Sequence, residues 1–309
     1  LNKLFNIRSE EWPRLLWLYV MLLAVTLGAV WGETIVAAAF LEQVGVRGLP
    51  WFFMIRAILS IPAVAIYTAF ADRIASRKLL IAILLIGGAG ILLGLGLLNL
   101  GITYIAYPLL YLLIYVPLTD ILSAHWYTYI DSFYDTRAAK RIVPVLGTAG
   151  SIGGIIAGLS MESLNKVLPP NGIILVWLSM VGIMALGAWL MPYLIKSRNG
   201  TAQHSAPTLK ARGTEKARVS YLNELREGYH YVTQSRFLRW IAIATLTIVI
   251  LLNFVGYRTS EIIVDKLQTT EAMANFYGLV TGIANLIMLP FQLFFLSRII
   301  GWIGVGNAY

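Results

Sequence analysis

Several polar side chains fall within long apolar runs of this sequence: Glu33, Arg56, Asp120, His125, Asn253 and Tyr257. An ionisable group inside a bilayer is costly, so each of these residues is a candidate for function. Carboxylates and a guanidinium can pair with one another or hold a charged solute, and histidine can exchange a proton near physiological pH. These residue types indicate solute binding or proton movement within apolar helices.

Depth along the helices decides which of these groups could meet. At 1.5 Å per residue, Glu33 and Arg56 lie about 16 Å and about 9 Å from the ends of their runs on one side. An ion pair between them is therefore geometrically feasible, as a structural link or as part of a binding site. Asp120 lies about 16 Å from the opposite side, with His125 closer to it. His125 could shuttle protons, although a lone histidine near a helix end more often hydrogen-bonds at a helix interface.

A further polar group stands near the end of the seventh apolar run. Asn253 and Tyr257 are followed by Arg258 and Glu261, which could be only a solvated helix cap. The three histidines of the chain stand in no cluster with acids that would fit a metal site or acyl transfer. We therefore expect no enzyme activity, no metal and no cofactor.

The composition identifies the elements that must hold these groups. Hydrophobic residues make up 58% and charged residues 13% of the chain, and the mean hydropathy is +0.74. Soluble proteins carry about 25% charged residues, so this chain belongs with polytopic membrane proteins. With no cysteine, it has no disulfide and no cysteine-ligated metal.

Eight apolar runs are long enough to cross a bilayer. They cover roughly 13–41, 50–71, 79–99, 102–130, 142–161, 171–194, 237–260 and 272–297. A cytoplasmic N-terminus places most of the 24 Lys and Arg residues in cytoplasmic loops, as the positive-inside rule requires. The net charge of +9 thus belongs to one membrane face. We expect a bacterial inner-membrane protein whose partners are lipid and a small solute, and no nucleic acid.

The spans fall into two groups around a polar stretch. We expect a six-helix N-terminal half at 1–195, a cytoplasmic connector at 196–236 and the start of a C-terminal half at 237–309. The later part of the connector is typical of an amphipathic helix on the membrane surface, or of a short solvated linker helix. Residues 51–78 align with 276–303, since both stretches begin with two aromatic residues and both contain a span that ends at a cytoplasmic arginine. Such parallel halves are a known transporter arrangement.

These six spans, the long inner loop and the restart resemble the major facilitator superfamily. The stretch "ADRIASRK" is similar to that superfamily's loop between spans two and three, with Thr68 where glycine is usual and one extra residue before Arg77. The stretches "DTRAAKRIVPVLGTAGSIGGIIAG" and "GYRTSEIIVDKLQTTEAMANFYGLVTGIANLI" resemble the nucleotide transporter branch of ATP/ADP translocase type and its bacterial relatives. The chain departs from that branch in having no lysine inside a span.

The resemblance implies a helical bundle of twelve spans, of which this fragment would hold about eight. Spans one, four and seven would line a central cavity, to which they would contribute Glu33, Asp120, and Asn253 with Tyr257. The implied function is secondary active transport by alternating access, as an antiporter, of a small anionic or nucleotide-like solute. The alternative is a transport-inactive membrane domain that anchors or senses for cytoplasmic regulatory domains, helical-repeat or cyclic-nucleotide-binding, missing from the fragment.

Glycines recur at every fourth residue in the fifth and eighth spans, as Gly150, Gly154 and Gly158 and as Gly278 and Gly282. This spacing lets helices approach closely in lipid. It does not fit a phosphate-binding loop, because isoleucines and not lysine follow the glycines. In the resembled fold these spans meet between the halves, so we predict that the two glycine faces pack together and slide or rock.

Charged residues also cluster at the cytoplasmic ends of spans two and five: Asp72, Arg73, Asp135, Arg137, Lys140 and Arg141. The need for positive charge on the cytoplasmic side would by itself explain them. The alternative hypothesis is a gate, in which acid–base pairs tie the helix ends together in one conformation and release them in the other.

Overall fold

The computed structural model describes residues 11–71, 73–134, 136–196 and 234–292. Within those ranges the chain forms helices and no strand, and eight of the helices are long and apolar enough to cross a membrane. The eight spans expected from the hydrophobic runs are therefore confirmed. The predicted surface helix of the connector lies almost entirely outside the described residues.

The spanning helices are numbered in chain order. They are α1 Trp12–Gln43, α2 Leu49–Ala71, α3 Ser76–Asn99, α4 Thr103–Asp131, α5 Thr136–Val167, α6 Pro170–Lys196, α7 Arg236–Leu267 and α8 Thr270–Pro290. Glycines with positive φ, Gly45 (84°) and Gly101 (77°), make the turns after α1 and α3, because glycine has no Cβ to clash there. We call the end of the bundle where α1 begins the near side and the opposite end the far side.

The described chain divides into two compact units. The first contains α1 to α6, α8 and the last residues of α7 from Ile263 onward. The second contains the described residues 234–262, which are the rest of α7 and the residues just before it. Helix α8 thus belongs to the same compact unit as the six helices that precede the connector.

Helix α1 lies at the centre of the first unit, in contact with α4, α5, α6 and α8. Its side chains at Leu18, Ile35 and Ala38 have no exposed surface. Gly32 lets α6 come close, because a Cβ at that position would lie 2.5 Å from the ring of the buried Trp177. Lipid supplies no hydrophobic force between helices, so this close packing and the hydrogen bond of 3.0 Å from Trp17 Nε1 to the backbone oxygen of Gly187 hold α1 and α6 together.

Helix α4 contains a π-helical segment, Val116–Ile121, in its middle. Pro117 has no backbone N–H to donate, and the Thr119 hydroxyl donates to the backbone oxygen of Ile114 at 2.7 Å. A π turn departs from the regular helical period and is frequent at functional sites. Here it contains Asp120, one of the ionisable residues that the sequence singles out.

Candidate functional site

A polar cluster joins α1, α2 and α4 inside the spans. Arg56 Nη2 lies 3.5 Å from Asp120 Oδ1, and the guanidinium carbon of Arg56 lies 4.0 Å from the centre of the Tyr115 ring. The Tyr115 hydroxyl donates a hydrogen bond of 3.0 Å to Glu33 Oε1. We call Glu33, Arg56, Tyr115 and Asp120 the Arg56 cluster.

The pairing in this cluster differs from the one that helix depth favours. Arg56 pairs with Asp120, while Glu33 is bound by Tyr115, whose ring also contacts the guanidinium. Asp120 is brought to Arg56 by the π turn, which changes the direction in which α4 projects its side chains. Regular helical spacing therefore could not reveal this partner, and nothing in the sequence marked Tyr115.

Aromatic rings line the cluster on the side of α2 and α4. The rings of Phe52 and Tyr111 stack with their centres 4.3 Å apart, and Tyr111 contacts the Tyr115 ring edge-on at 5.1 Å. Such rings form an apolar wall, and their faces attract a guanidinium. The side chains of Arg56 and Asp120 are still 31% and 32% exposed, so the described helices do not enclose the charge pair completely.

His125 connects three helices near the near-side end of α4. The side chain is fully buried, with Nε2 2.7 Å from the backbone oxygen of Ser76 in α3 and Nδ1 3.1 Å from the hydroxyl of Tyr67 in α2. Both ring nitrogens have protein partners. Of the two interpretations of this histidine, the geometry favours the hydrogen-bonded interface residue.

His125→Ala should lower the free energy of unfolding by about 2–4 kcal/mol, because it removes both hydrogen bonds and leaves a cavity. Tyr67→Phe removes only one of the two bonds and should cost about 1 kcal/mol. Thermal unfolding of both purified variants in the same detergent compares their losses of stability. An unchanged melting temperature for His125→Ala would contradict the interface role.

Asn253 and Tyr257 lie on α7, in the second unit. Asn253 Nδ2 donates to the backbone oxygen of Val249 on its own helix at 2.8 Å. Arg258 pairs with Glu261 at 2.5 Å, and both of these side chains are largely exposed. These are local contacts, and for Arg258 and Glu261 they agree with a solvated cap. That Asn253 and Tyr257 share a cavity with Glu33 and Asp120 stays a prediction.

The predicted gate lies mostly outside what the structure describes. Arg73 is exposed in the turn between α2 and α3, where its N–H donates to the backbone oxygen of Phe70 at 3.1 Å. Side chains that are not described include Asp72, Asp135, Arg137, Lys140 and Arg141. The gate therefore stays a prediction.

Arg14, near the start of α1, makes a near-side contact. Its Nη1 donates to the backbone oxygen of Phe133 at 2.9 Å, and its guanidinium carbon lies 5.7 Å from the centres of the Phe133 and Tyr134 rings. Burial raises the pKa of the Tyr134 hydroxyl, against the opposing effect of Arg14. The start of α1 is thereby tied to the turn between α4 and α5.

Helices α5 and α8 meet at glycines. A Cβ at Gly158 would touch the backbone oxygen of Gly278 and would lie 2.5 Å from the backbone nitrogen of Gly282. A Cβ at Gly278 would in turn lie 2.9 Å from the backbone oxygen of Gly158. Gly158 and Gly278 therefore leave no room for a Cβ, as expected of a close helix contact in lipid, whereas a Cβ at Gly282 would lie 3.0 Å from the end of the Leu159 side chain.

The other two glycines of α5 have different neighbours. A Cβ at Gly154 would lie 2.5 Å from Nδ2 of Asn285 in α8, so this glycine faces a side chain. At Gly150 the nearest described atom is Oγ1 of Thr26 in α1, at 4.0 Å. Gly150 therefore faces α1, although the next residue, Ser151, still reaches the chain just after α8, where its hydroxyl donates to Gln292 Oε1 at 2.9 Å.

Two polar pairs tie the far-side ends of α1 and α5 to α8. Glu42 Oε2 accepts a hydrogen bond from the backbone N–H of Thr270 at 2.9 Å and a second from the Thr270 hydroxyl. Asn165 Nδ2 donates to Asn275 Oδ1 at 2.6 Å. The Glu42 carboxylate also satisfies a free N–H at the start of α8, where negative charge is favourable. We call these two pairs the far-side contact.

A cavity of about 330 Å³ lies in the near half of the first unit, with walls from α1, α4, α5 and α6. Its lining includes Val25, Leu122, Trp126, Gly147 and Met184, and none of the described residues that line it is charged. The end of the cavity that points towards the far side, at Ala29 and Thr119, lies one helical turn from the positions of Glu33 and Tyr115.

The spanning helices, the charges held inside them and the close glycine contacts define an α-helical integral membrane protein of the polytopic class. The arrangement pairs charged side chains within the apolar spans. Comparison of the chain with protein-family models, with curated proteins and with solved structures found no match.

Proposed function

We propose that the protein is a secondary active transporter that moves a small organic solute across the membrane by alternating access. The observation that carries the proposal is the Arg56 cluster, in which a carboxylate, a guanidinium and a second carboxylate lie inside three spans. Ionisable groups within the bilayer are expensive and typically belong to a solute or ion pathway. The proposal includes a bundle of major facilitator type, twelve spans in two parallel halves.

Alternating access requires helices to part on one side of the membrane while they close on the other. In the described conformation the far-side contact joins α1 and α5 to α8, and the cavity lies in the near half. We infer that this conformation is closed on the far side. The backbone contact at Gly158 offers a surface without side chains, over which α5 and α8 can rock.

The charge of the solute depends on Arg56. An anionic solute would displace Asp120 from the guanidinium, which the 3.5 Å separation and the partial exposure of the pair make feasible. A nucleotide polyphosphate needs several cations, and the described lining of the cavity offers none. The resemblance to nucleotide transporters therefore supports the transport mode more than the nucleotide itself.

The absence of cysteine allows a test that needs no knowledge of the substrate. Ser123 lines the cavity, so Ser123→Cys can be labelled with a membrane-impermeant maleimide in sealed vesicles of each orientation. Alternating access predicts labelling from both sides of the membrane. Labelling from one side only would contradict the proposal and favour the transport-inactive anchor.

A metal clamp on the far-side contact sharpens this experiment. Asn165→His with Asn275→His, added to Ser123→Cys, should bind Zn²⁺ between α5 and α8, because these two side chains touch. Zinc should then reduce labelling from the far side at least tenfold, leave near-side labelling unchanged and be reversed by a chelator. Asn165→His alone is the matched control. If the double variant binds zinc and far-side labelling is still unchanged, access from the far side does not require this contact to open.

A further inference from the structure

We propose that the near-half cavity binds a small, uncharged, aromatic molecule. This inference concerns a binding site separate from the Arg56 cluster, and it does not rest on the proposed transport function. The cavity's volume of about 330 Å³ falls in the range of roughly 300–1,000 Å³ that is usual for small-molecule sites. Its walls come from four packed helices of one compact unit, so the space is part of the fold.

The lining disfavours an ion. Four residues with a hydroxyl group line the cavity, Thr26 on α1 and Thr119, Ser123 and Tyr127 on α4. The Thr119 hydroxyl donates to the backbone oxygen of Ile114 at 2.7 Å and the Ser123 hydroxyl to that of Thr119 at 2.5 Å, so these two protons are already engaged. The described lining carries no charged side chain. An ion moved from water into such a site without a partner loses several kcal/mol. A neutral molecule avoids that cost.

The residue types of the walls favour a flat ring over a flexible chain. Trp126 and Tyr127 supply aromatic surface on α4, and α5 contributes Gly147 and Gly150 to the lining. A Cβ at Gly147 would meet no atom within 4 Å, so the helix surface there is flat and open. Aromatic side chains bind ring systems by stacking or edge contacts, which a saturated chain cannot form.

A series of ligands with one ring system and different charges tests the proposal. Indole is the neutral probe, indole-3-acetate the anionic probe and tryptamine the cationic probe, each titrated into the purified full chain while binding is followed by equilibrium dialysis in detergent. Indole should bind at least tenfold more tightly than either charged relative. 1-Octanol, an uncharged chain of similar size, should bind at least tenfold more weakly than indole. Equal or tighter binding of an ion, or of octanol, would overturn the proposal.

A cavity-filling variant separates specific binding from partition into the micelle. Gly147→Leu places its side chain in the cavity and should lower indole affinity at least tenfold. Gly182→Leu on α6 is the matched control, because a Cβ there also meets no atom within 4 Å and Gly182 does not line the cavity. Equal affinities of the two variants would sink the inference. One-sided labelling of Ser123→Cys together with normal indole binding would instead reject transport and leave the binding site standing.

Discussion

Gly158→Leu should destabilise the protein more than the same change at any other glycine of the α5–α8 contact. The new side chain would meet the backbone oxygen of Gly278, the backbone nitrogen of Gly282 at 2.5 Å and its Cα at 2.7 Å. Backbone atoms cannot rotate away as side chains do, so α5 and α8 would have to separate. Overpacking that side chains can relieve costs about 1–3 kcal/mol, and here we expect about 3 kcal/mol or more.

Two variants calibrate that result. Gly154→Leu meets the side chain of Asn285, which can turn aside, so its effect should be smaller. Gly182→Leu has open space around it and should unfold like the wild type apart from the effect of losing a helical glycine. The melting temperature and the monodisperse yield after detergent extraction should fall furthest for Gly158→Leu, less for Gly154→Leu and least for Gly182→Leu. A wild-type melting temperature for Gly158→Leu would show that α5 and α8 do not pack at these glycines.

Gly154→Leu also tests the rocking hypothesis. If α5 and α8 move against each other, a bulky residue on the glycine face should hinder that movement even where the protein still folds. Far-side labelling of Ser123→Cys should then fall severalfold in the Gly154→Leu background. Intact folding together with unchanged labelling from both sides would show that the glycine face serves packing alone.

Removing the arginine of the Arg56 cluster should be the second large effect. Arg56→Met leaves the Asp120 carboxylate inside the spans without its cation, and also removes the guanidinium from the Tyr115 ring. Removing one partner of a fully buried ion pair costs about 3–5 kcal/mol. Because each side chain is about a third exposed, we expect about 2–3 kcal/mol.

A double-mutant cycle separates the ion pair from side-chain packing. Asp120→Leu alone leaves Arg56 unpaired and should cost a similar amount, whereas Arg56→Met with Asp120→Leu removes both charges. The double variant should be more stable than either single variant, because hydrophobic residues replace an ion pair at little cost. Strictly additive losses would show that Arg56 and Asp120 do not interact. If Arg56 also binds the transported solute, the double variant should fold but should no longer take up that solute.

The glycine pattern shows which part of a helix contact the sequence predicts and which part it leaves open. Spacing by four residues is a property of one helix, and it correctly indicated a face along which another helix can approach. It could not state which of these glycines face α8, because that depends on how the two helices cross. Gly154 and Gly158 therefore contact α8, while the described neighbour of Gly150 is Thr26 of α1.

The residues of the Arg56 cluster were likewise only partly predictable from the sequence. The sequence identified Glu33, Arg56 and Asp120 because charge stands out in an apolar run. It did not identify Tyr115, since a tyrosine in a span is ordinary until its ring covers a guanidinium and its hydroxyl meets a carboxylate. The choice of Asp120 as the partner of Arg56 depends on the π turn, which no simple periodicity reports.

By itself the sequence determined that the chain crosses the membrane, and where, because the bilayer requires about 20 apolar residues per span and leaves no other structure for such runs. It also determined which spans carry charge and glycine. Only the tertiary structure decided which residues meet: Glu42 with Thr270, Asn165 with Asn275, and the four walls of the cavity. The physical reason is the part of the chain on which each property depends. Insertion of a span into the bilayer depends on the apolarity of its own residues. The contacts between spans depend on how all the helices of the bundle cross.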